Sequence, residues 1–501
     1  MRLNQILNFV DSYKVSHAAF EAKGTEYIYS NLTPRTSKYF VIPPEAFDGR
    51  ATFFGLQYFI KHVLIDLWDG EFFKQPKEKV IKAFKRRCDT HLGKDNIDMG
   101  RFEKLHDLQY LPIVIKALPE GVSVPMKVPF LTIKNTHPEF SWLTNYLETA
   151  LSCIVWKPCN SATILRGYKK IINEYADSTV GDRNHTPFAL HGFECRGMNG
   201  YQDAALAGAA VALSTCGSDT ILAIDLLEQY YNADAEKEMI LLSVPASEHA
   251  VSSLGTSVED EFTFFKRAIT EYYPRGIVSI VSDTFDYFKF ITEYASKLKN
   301  EILNRPLNEF GLSKVVFRPD SGDQVKVICG DKDAPVGSPE YKGTIECLWD
   351  IFGGIVSSRG YRVLNERVGC ILGDGCDYRV IKNTLDGLKQ KSFASSNIVF
   401  GVGSFAHMAS RDSLGIAQKA TWAQVGGIGY DLFKAPKTDS GMKKSAKGLL
   451  RVDLINGQYI LKDCCTKEEE SGGELKEVFR DGKLLVDHKL SEIRARVEQS
   501  Y

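Results

Sequence analysis

The sequence has no large excess of charge, no long apolar run and no ordered array of cysteines. Its 62 basic and 63 acidic side chains leave a formal net charge of −1, which gives no support for nucleic-acid binding. No apolar run reaches the length that crosses a membrane, and the first ten residues are too short and polar for a signal peptide. The eleven cysteines are scattered and only Cys464 and Cys465 are close together, so neither a disulfide framework nor a zinc spacing emerges. We therefore expect a cytoplasmic protein that binds neither nucleic acid nor membrane.

Short apolar runs that end in glycine or polar residues recur through the middle of the chain of 501 residues. They are Phe188–Phe193, Ile240–Pro245, Ile277–Asp283, Val315–Arg318, Val368–Asp374 and Asn397–Gly401. Between most of them the spacing is helical, as in Phe262–Tyr272 and Phe285–Leu298. Strands that alternate with helices predict parallel βα units. Six or seven such units favour a closed or nearly closed α/β barrel.

The two ends of the chain have a different pattern, typical of antiparallel strands. Near the C-terminus two strand-like runs surround Asn456-Gly457, and two more surround Asp481-Gly482. These dipeptides predict tight hairpins because both turn residues need positive φ. Strand-like runs also occur at Tyr27–Thr33 and Pro112–Lys134. The sequence thus predicts an α/β fold, an irregular TIM-like barrel over 181–405, with one discontinuous α+β domain formed from 1–180 and 406–501.

Polar side chains follow the predicted strands, where a parallel barrel gathers its chemistry. The run Lys314–Arg318 leads directly into Pro319-Asp320-Ser321-Gly322-Asp323. Carboxylates end three of the runs and could hold Mg²⁺ or accept sugar hydroxyls. They are Asp283 and Asp286, Asp320, and Asp374. Each alone could equally be a helix cap or an ion-pair partner.

Two glycine turns, Gly373-Asp374-Gly375 and Gly401–Ser404, follow the last two predicted strands. Barrels often bind phosphate there, through backbone N–H groups at the start of a helix. Glycines that serve only the turns are the alternative. The second turn also resembles a dinucleotide fingerprint, but it closes the array instead of opening it. Cations within the next forty residues could neutralise a diphosphate: Arg411, Lys419, Lys434, Lys443, Lys444 and Lys447.

A histidine and a phenylalanine complete the candidate site. His249 follows Glu248 just past a predicted strand, and is either a base or phosphate acceptor or a structural histidine. Phe193, close to Arg196, offers a face on which a planar ring can stack. These residues indicate an enzyme that handles a phosphorylated sugar and a flat ring, and they leave the reaction open.

At these residues the sequence resembles the nicotinamide phosphoribosyltransferases, which are type II phosphoribosyltransferases of the nicotinate phosphoribosyltransferase-like family. The resemblance runs almost from end to end. It rests on Asp11–His17, Phe54–Tyr58, Trp142–Glu148, Gly192–Gly197, Ser243–His249, Val281–Asp286, Arg318–Gly322, Gly373–Gly375, Phe400-Gly401, Ser410–Asp412 and Phe433-Lys434.

The resemblance implies an activity, cofactors and an assembly. Such enzymes condense nicotinamide with 5-phosphoribosyl 1-diphosphate in NAD salvage, releasing nicotinamide mononucleotide and diphosphate. They need Mg²⁺, which is carried mainly by the diphosphate. They work as homodimers with shared sites, and they couple to ATP through a phosphorylated histidine.

The resemblance also assigns roles to residues. The pyridine ring would lie between Phe193 and Tyr13 of the partner subunit, with Asp219 and Arg318 on its amide and Ser282 nearby. His249 would be phosphorylated, supported by Glu248 and Asp286. The phosphoribosyl group would be held by Arg196, Asp320, Gly373 and Asp374, and its 5′-phosphate by Gly403 and Ser404. The diphosphate would face Arg35, Arg411, Lys419 and Lys434.

The sequence departs from the vertebrate-like pattern of the family at three points. Gly192 replaces an acid, Cys195 replaces an aromatic residue, and the glycine turn is one residue shorter, with Ser404 in place of a glycine.

Three other activities compete with this interpretation. One is nicotinate phosphoribosyltransferase activity, which Asp219 disfavours because a carboxylate repels the carboxylate of nicotinate. Another is an NAD-dependent oxidoreductase that uses Gly401–Ala406, which its position disfavours. The third is a non-catalytic signalling protein, for which the sequence offers no secretion signal.

Overall fold

The computed structural model describes residues 6–373, 375–434 and 446–501. The chain divides into two compact units. The first comprises the described residues of Met1–Thr163, Leu226–Asp234 and Ala409–Ser500. The second comprises Ile164–Asp225 and the described residues of Ala235–Met408, together with Tyr501.

A curled parallel sheet organises the second unit. Among the described residues it has six strands, in the order Gly217–Ser218, Leu190–Gly192, Ile398–Val402, Val368–Leu372, Lys314–Arg318 and Ile277–Val281. The strand Lys314–Arg318, next to the edge strand Ile277–Val281, alternates buried and half-buried residues, and Phe317 lies opposite both Cys370 and Ile280. Five of the six predicted runs overlap with one of these strands, which confirms the parallel βα pattern.

The sixth run, Ile240–Pro245, does not form a regular strand, so that part of the prediction was wrong. This segment makes only isolated bridges, Leu242 beside Gly217 and Ala246 beside Ser279. The carbonyl of Leu242 accepts from the N–H of Ser218 at 3.0 Å, and the carbonyl of Pro245 accepts from the N–H of Ser279 at 2.9 Å. Proline has no N–H, so a continuous ladder is interrupted there. The irregular segment nevertheless contacts both outer strands of the sheet.

Helices connect the strands of this unit, as the periodicity predicts. The helix Tyr201–Val211 is built largely of alanine and is almost entirely buried. The helices and helical turns are Thr186–Phe188, Cys195–Gly197, Tyr201–Val211, His249–Val258, Glu261–Arg267, Ala268–Tyr272, Tyr287–Lys289, Phe290–Tyr294, Ala295–Lys297, Lys299–Leu303, Gln324–Cys329, Pro339–Lys342, Thr344–Phe352, Tyr378–Gln390, Ser395–Asn397 and Ser404–His407. A hairpin of Gly354–Val356 and Arg362–Leu364 lies between two of them.

An antiparallel sheet organises the first unit and combines strands from both ends of the chain. Over the described ranges its strand order is Ile428–Asp431, Ala417–Val425, Thr25–Thr33, Leu131–Asn135, Ile113–Ala117, Lys476–Arg480 and Lys483–Leu484. The strand Thr25–Thr33 lies between the N-terminal strand Leu131–Asn135 and the C-terminal strand Ala417–Val425, with Asn31 opposite Lys419. The two ends of the chain therefore share one set of backbone hydrogen bonds.

The two predicted hairpin turns are confirmed. Asn456 and Gly457 have φ of 51° and 75°, and Asp481 and Gly482 have φ of 48° and 81°. Each turn has two residues, since Ile455 pairs with Gln458 and Arg480 pairs with Lys483.

Helices and short strands complete the first unit. The helical segments are Ile6–Asn8, Ser12–Val15, His17–Phe20, Leu56–Tyr58, Phe59–Leu67, Asp69–Phe73, Lys77–Leu92, Gly100–Leu108, Pro138–Phe140, Leu143–Tyr146, Lys467–Glu470 and Leu490–Glu498. The paired short strands are Arg50–Thr52 and Ser123–Pro125, and the hairpin strands are Leu449–Ile455 and Gln458–Cys465. The helices Glu148–Thr179 and Ile221–Tyr231 contain residues of both units. None of the helices in the described ranges has the length and apolar character to span a membrane.

A buried carboxyl group in the first unit makes stability depend on pH. Glu120 accepts backbone N–H groups of Gln57 at 2.5 Å and Gly55 at 3.1 Å. Burial raises the pKa of Glu120 to about 7, although these hydrogen bonds and one from Tyr231 oppose it. The folded pKa of Glu120 exceeds the unfolded one, so the folded protein binds this proton more tightly. The resulting contribution to the free energy of unfolding is complete below about pH 4.5 and is lost as pH rises through about 7.

We expect the free energy of unfolding to fall by about 3 kcal/mol over that pH range through this group alone. Denaturant titrations at a series of pH values would measure it. Glu120→Gln keeps the size of the side chain but cannot titrate, so its stability should change less with pH. Equal pH dependence in the two proteins would show that Glu120 is already ionised in the folded state.

Candidate active site

The carboxyl ends of the parallel strands bring most of the predicted site residues of the second unit to one edge of the sheet. Phe193 follows Leu190–Gly192, Ser282 follows Ile277–Val281, and Arg318 ends Lys314–Arg318. Parallel strands all end on the same side, so residues far apart in sequence meet there. The prediction that chemistry gathers at this edge agrees with these positions.

His249 contacts a carboxylate at this edge. Its Nε2 lies 3.0 Å from Oδ1 of Asp283. The other oxygen of Asp283 accepts from the backbone N–H of Asp320 at 2.9 Å and from the hydroxyl of Ser321 at 2.6 Å. Burial acts to raise the pKa of Asp283, but the hydrogen bonds from Ser321, Asp320 and His249 outweigh it and hold the pKa below the ordinary value. Asp283 is therefore an ionised carboxylate that orients the imidazole.

The contact with Asp283 differs from the prediction, in which Glu248 and Asp286 support His249. Asp286 instead caps the helix Tyr287–Lys289, where its carboxylate accepts the N–H of Lys289 at 3.0 Å. Glu248 is exposed and precedes the helix His249–Val258. Asp283 occupies the supporting position because it comes immediately after the strand, before the chain turns into the cap.

Arg318 and Asp320 form the next part of the edge. The guanidinium of Arg318 donates to the carbonyl of Ser247 at 3.0 Å, and its Nε lies 3.4 Å from Asp320. The other oxygen of Asp320 lies 3.8 Å from Nδ1 of His249. Gly373 has no room for a side chain, because Asp320 and Arg318 fill the space where its Cβ would stand. Asp374, which the sequence singled out beside it, lies outside the described residues.

Asp219 is held by two neighbours on one of its oxygens. Oδ1 lies 2.9 Å from Nε2 of His191 and accepts the hydroxyl hydrogen of Ser243. Burial acts to raise the pKa of Asp219, but hydrogen bonds from His191 and Ser243 and the charge of Arg318 lower it overall. Ser282 lies on the same edge but is buried, and its hydroxyl donates to the carbonyl of Ile280 at 2.8 Å. Asp219 is therefore a carboxylate that is ionised at neutral pH.

Phe193 presents an aromatic ring beside His191, the residue that contacts Asp219. A Cβ at Gly401 would stand only 2.5 Å from the ring of Phe193, so the ring lies directly over this glycine. The backbone N–H of Phe193 donates to the carbonyl of Val402 at 2.9 Å, and the ring of His191 lies 4.9 Å away, centroid to centroid. The ring is thus fixed at its base and half-buried.

Two single helical turns pack together near this ring. The turn Cys195–Gly197 carries Arg196, which is exposed, and the turn Ser404–His407 begins after Gly403. A Cβ at Gly197 would stand 2.5 Å from Cβ of Ser404. The helix expected after the glycine turn is thus only four residues long. The phosphate site at Gly403 and Ser404 stays a prediction.

The predicted cations of the first unit lie mostly near one another. Lys419 faces Asn31 across the sheet, and Arg35 follows the same strand and donates to the carbonyl of Gly415 at 3.0 Å. Burial lowers the pKa of Lys419; Glu148 opposes this, while Arg35, Lys14 and Arg411 add to it. Lys434 is exposed, whereas Lys443 and Lys444 lie outside the described residues. A group of like charges of this kind suits a multiply charged anion.

Two further residues belong to this region of the first unit. Lys14, which the sequence did not single out, pairs with Glu148 at 2.5 Å. Tyr13 is 57% exposed, and its ring meets His17 edge-on with centroids 5.1 Å apart. One face of Tyr13 is therefore open to another molecule.

A family assignment follows from comparison with known proteins. A sequence model of the nicotinate phosphoribosyltransferase (NAPRTase) family matches residues 188–483. That range covers more than half of the chain and contains every strand of the parallel sheet. The chain belongs to the nicotinate phosphoribosyltransferase family.

Individual members of the nicotinate phosphoribosyltransferase family match over nearly the whole chain. A nicotinamide phosphoribosyltransferase of Acinetobacter baylyi is 49% identical over 494 residues, which are 98% of this chain and 97% of that protein. A nicotinamide phosphoribosyltransferase of Xanthomonas campestris is 30% identical, covering 99% and 98%. The crystal structure of human nicotinic acid phosphoribosyltransferase shares the fold with a TM-score of 0.55 at 15% identity, covering 98% and 93%.

The structure adds residues to the site of this nicotinate phosphoribosyltransferase family member. Sequence reasoning gave no role to His191, Ser243, Ser247 or Ser321, and it treated Asp283 only as one of several carboxylates at the edge. His191 and Asp283 occupy the ends of predicted strands, which is a signal that could have found them. Ser243 and Ser247 lie on either side of Pro245, where the sequence predicted a strand and the structure has an irregular segment.

Proposed function

We propose that this chain is a nicotinamide phosphoribosyltransferase of NAD salvage. It would join nicotinamide to 5-phosphoribosyl 1-diphosphate and release nicotinamide mononucleotide and diphosphate. The observation that carries the proposal is an ionised Asp219 whose partner His191 packs against the ring of Phe193. The names of the two relatives above support the same reaction.

Asp219 is the residue that would select nicotinamide over nicotinate. His191 and Ser243 both bind Oδ1. Oδ2 would accept an N–H of the carboxamide. Nicotinate would place a second carboxylate there, and the two negative charges repel each other. Nicotinate remains the second candidate substrate, because the family model and the human structure carry the name of that activity.

The remaining residues would hold the sugar and its phosphates. As diphosphate leaves, positive charge develops on the sugar, so positioning and charge neutralisation matter more than a strong nucleophile. Arg196 and Asp320, with Gly373 and Asp374, would engage the ribose. Gly403 and Ser404 would take the 5′-phosphate. The diphosphate would be bound by Arg35, Arg411, Lys419 and Lys434.

Mg²⁺ would accompany the diphosphate. Within the described ranges, no group of three or more His, Cys, Asp or Glu side chains is arranged to hold a metal ion. Mg²⁺ commonly binds one or two protein carboxylates together with substrate phosphates. Asp320 and Asp283 would supply those carboxylates, and the ion would neutralise charge on the leaving group.

The same family suggests the architecture, the cellular location and the assembly of this protein. We infer that the curled sheet, with the segment Leu242–Ala246, forms an irregular TIM-like barrel over about 181–405. The discontinuous domain would comprise 1–180 and 406–501. The enzyme would be a cytoplasmic homodimer coupled to ATP through His249.

One assay tests the proposed reaction. The chain is incubated with phosphoribosyl diphosphate, Mg²⁺ and either nicotinamide or nicotinate, and the mononucleotides are separated. We expect nicotinamide mononucleotide to be the main product. Turnover of nicotinate alone would establish the second candidate, and no product with either pyridine would refute both.

We predict that His249→Ala abolishes ATP hydrolysis and removes the stimulation of synthesis by ATP, while a slower ATP-independent reaction remains. The imidazole is the nucleophile for phosphate, and Asp283 orients it. Acid-labile phosphate on the protein after incubation with ATP is the measurement.

Two variants test whether Asp283 or Glu248 supports the phosphorylation of His249. Asp283→Asn removes the charge that contacts His249, so phosphorylation should slow strongly. Glu248→Gln changes an exposed residue and is the matched control, which should phosphorylate normally. Acid-labile phosphate that persists on His249→Ala would show that another residue accepts the phosphate.

A further inference from the structure

Glu194 is a buried carboxyl group that the proposed reaction does not use. It is 0% exposed, although it stands between Phe193 and the exposed Cys195 in sequence. Neither of its oxygens has a hydrogen-bond partner of good geometry among the described residues. Burial raises the pKa of Glu194; nearby Thr220, its own backbone and the charge of His191 oppose this, while Asp219 adds to it. Burial without a full partner favours the uncharged acid.

Two glycines make the space for this side chain. A Cβ at Gly192 would stand 2.6 Å from Oε2 of Glu194, and a Cβ at Gly208 would stand 2.9 Å from Oε1. The first belongs to the strand Leu190–Gly192 and the second to the helix Tyr201–Val211. The carboxyl group therefore fills the volume that side chains at positions 192 and 208 would otherwise occupy.

The turn that carries Asp219 lies against the same carboxyl group. The backbone N–H of Asp219 donates to the carbonyl of Gly192 at 2.9 Å. Ser218 also lies within 2.7 Å of the Cβ position of Gly192, and its Oγ accepts the N–H of Thr220 at 3.0 Å. Phe193 directly precedes Glu194, and Asp219 directly precedes Thr220, which lies near the Glu194 carboxyl group.

We propose that Glu194 is a positioning residue that fixes Phe193 and the Asp219 turn relative to each other. The inference rests on the proposed function, since it concerns the site where the pyridine would bind. The carboxyl group fills the space between the strand, the turn and the helix, and it does not touch the substrate. Its loss would leave a cavity beside the backbone hydrogen bond from Asp219 to Gly192, and the strand end and the turn would shift to fill it.

The first test is truncation. Glu194→Ala should raise the KM for nicotinamide by roughly tenfold or more, because small displacements of positioned groups cost up to about a hundredfold. The KM for phosphoribosyl diphosphate should change much less. Glu194→Gln has the same shape and no charge, so it should remain within about threefold of the wild type. Glu120→Ala is the matched control, a truncation of another buried glutamate, and should lower Tm without this change in KM.

The second test moves the carboxyl group from residue 194 to residue 192. Gly192→Asp alone should be severely impaired, because its side chain collides with Glu194. Gly192→Asp combined with Glu194→Gly places a carboxyl group in nearly the same volume. We expect the double variant to recover most of the nicotinamide affinity that each single variant loses, measured as KM and as Kd by calorimetry.

The outcomes distinguish the inference from the proposed function. If the wild type does not turn over nicotinamide, the proposed function fails. If the wild type is active and Glu194→Ala lowers only Tm, with the KM for nicotinamide unchanged, the inference fails. If Glu194→Ala does not fold, Glu194→Gln and the double variant decide. A Gln variant with a strongly raised KM, or a double variant no better than the single variants, would overturn the inference.

Discussion

Replacing Asp219 with asparagine should shift the preference of the enzyme from nicotinamide towards nicotinate. Asparagine keeps the size of the side chain but has no charge to repel a carboxylate. On the amide side, the weaker acceptor should cost roughly 1–3 kcal/mol. On the acid side, the same change removes a repulsion. Because the two effects act in opposite directions on the two substrates, the ratio of their kcat/KM values should change by more than about tenfold.

The measurement is kcat/KM for both pyridines in the wild type, Asp219→Asn and Asp219→Ser. Ser243→Ala is a graded control, since it removes one of the two bonds that hold Oδ1 but leaves the charge. It should reduce activity with nicotinamide without improving activity with nicotinate. If the ratio is unchanged in all these variants, Asp219 does not distinguish the amide from the acid.

Loss of either aromatic face should nearly abolish the use of nicotinamide, and mixing the two defective chains should restore it. In the proposed homodimer the pyridine lies between Phe193 and Tyr13 of the partner subunit. Stacking on one aromatic ring contributes roughly 1–3 kcal/mol, by analogy with bases on protein aromatics. Phe193→Ala and Tyr13→Ala should therefore each raise the KM for nicotinamide strongly.

The mixing experiment tests whether the site is shared. The two variants are unfolded together and refolded as mixed dimers. With shared sites, half of the sites in a mixed dimer carry both defects and half carry neither, so activity returns. If each site is built within one chain, every site keeps one defect and mixing restores nothing. Each variant refolded alone is the control.

The sequence by itself determined the features that depend on local chemistry. Asn456-Gly457 and Asp481-Gly482 specify two-residue turns, because few other dipeptides accept positive φ at both positions. Short apolar runs such as Val315–Arg318 specified parallel strands, since they are too short for helices and lie between helical patterns. Parallel strands in turn place the residues that follow them on one edge, so Phe193 and Arg318 could be placed at this edge in advance.

The tertiary structure decided the pairings within that edge. Glu248, Asp283 and Asp286 are all close to His249 or to a strand end in sequence, and only the path of the backbone selects Asp283 while Asp286 caps a helix. Likewise, no local pattern joins His191 and Ser243 to Asp219. Side-chain contacts across a sheet depend on how closely segments separated by tens of residues approach one another. Sequence periodicity specifies only the direction and the face of each segment, and packing sets those distances.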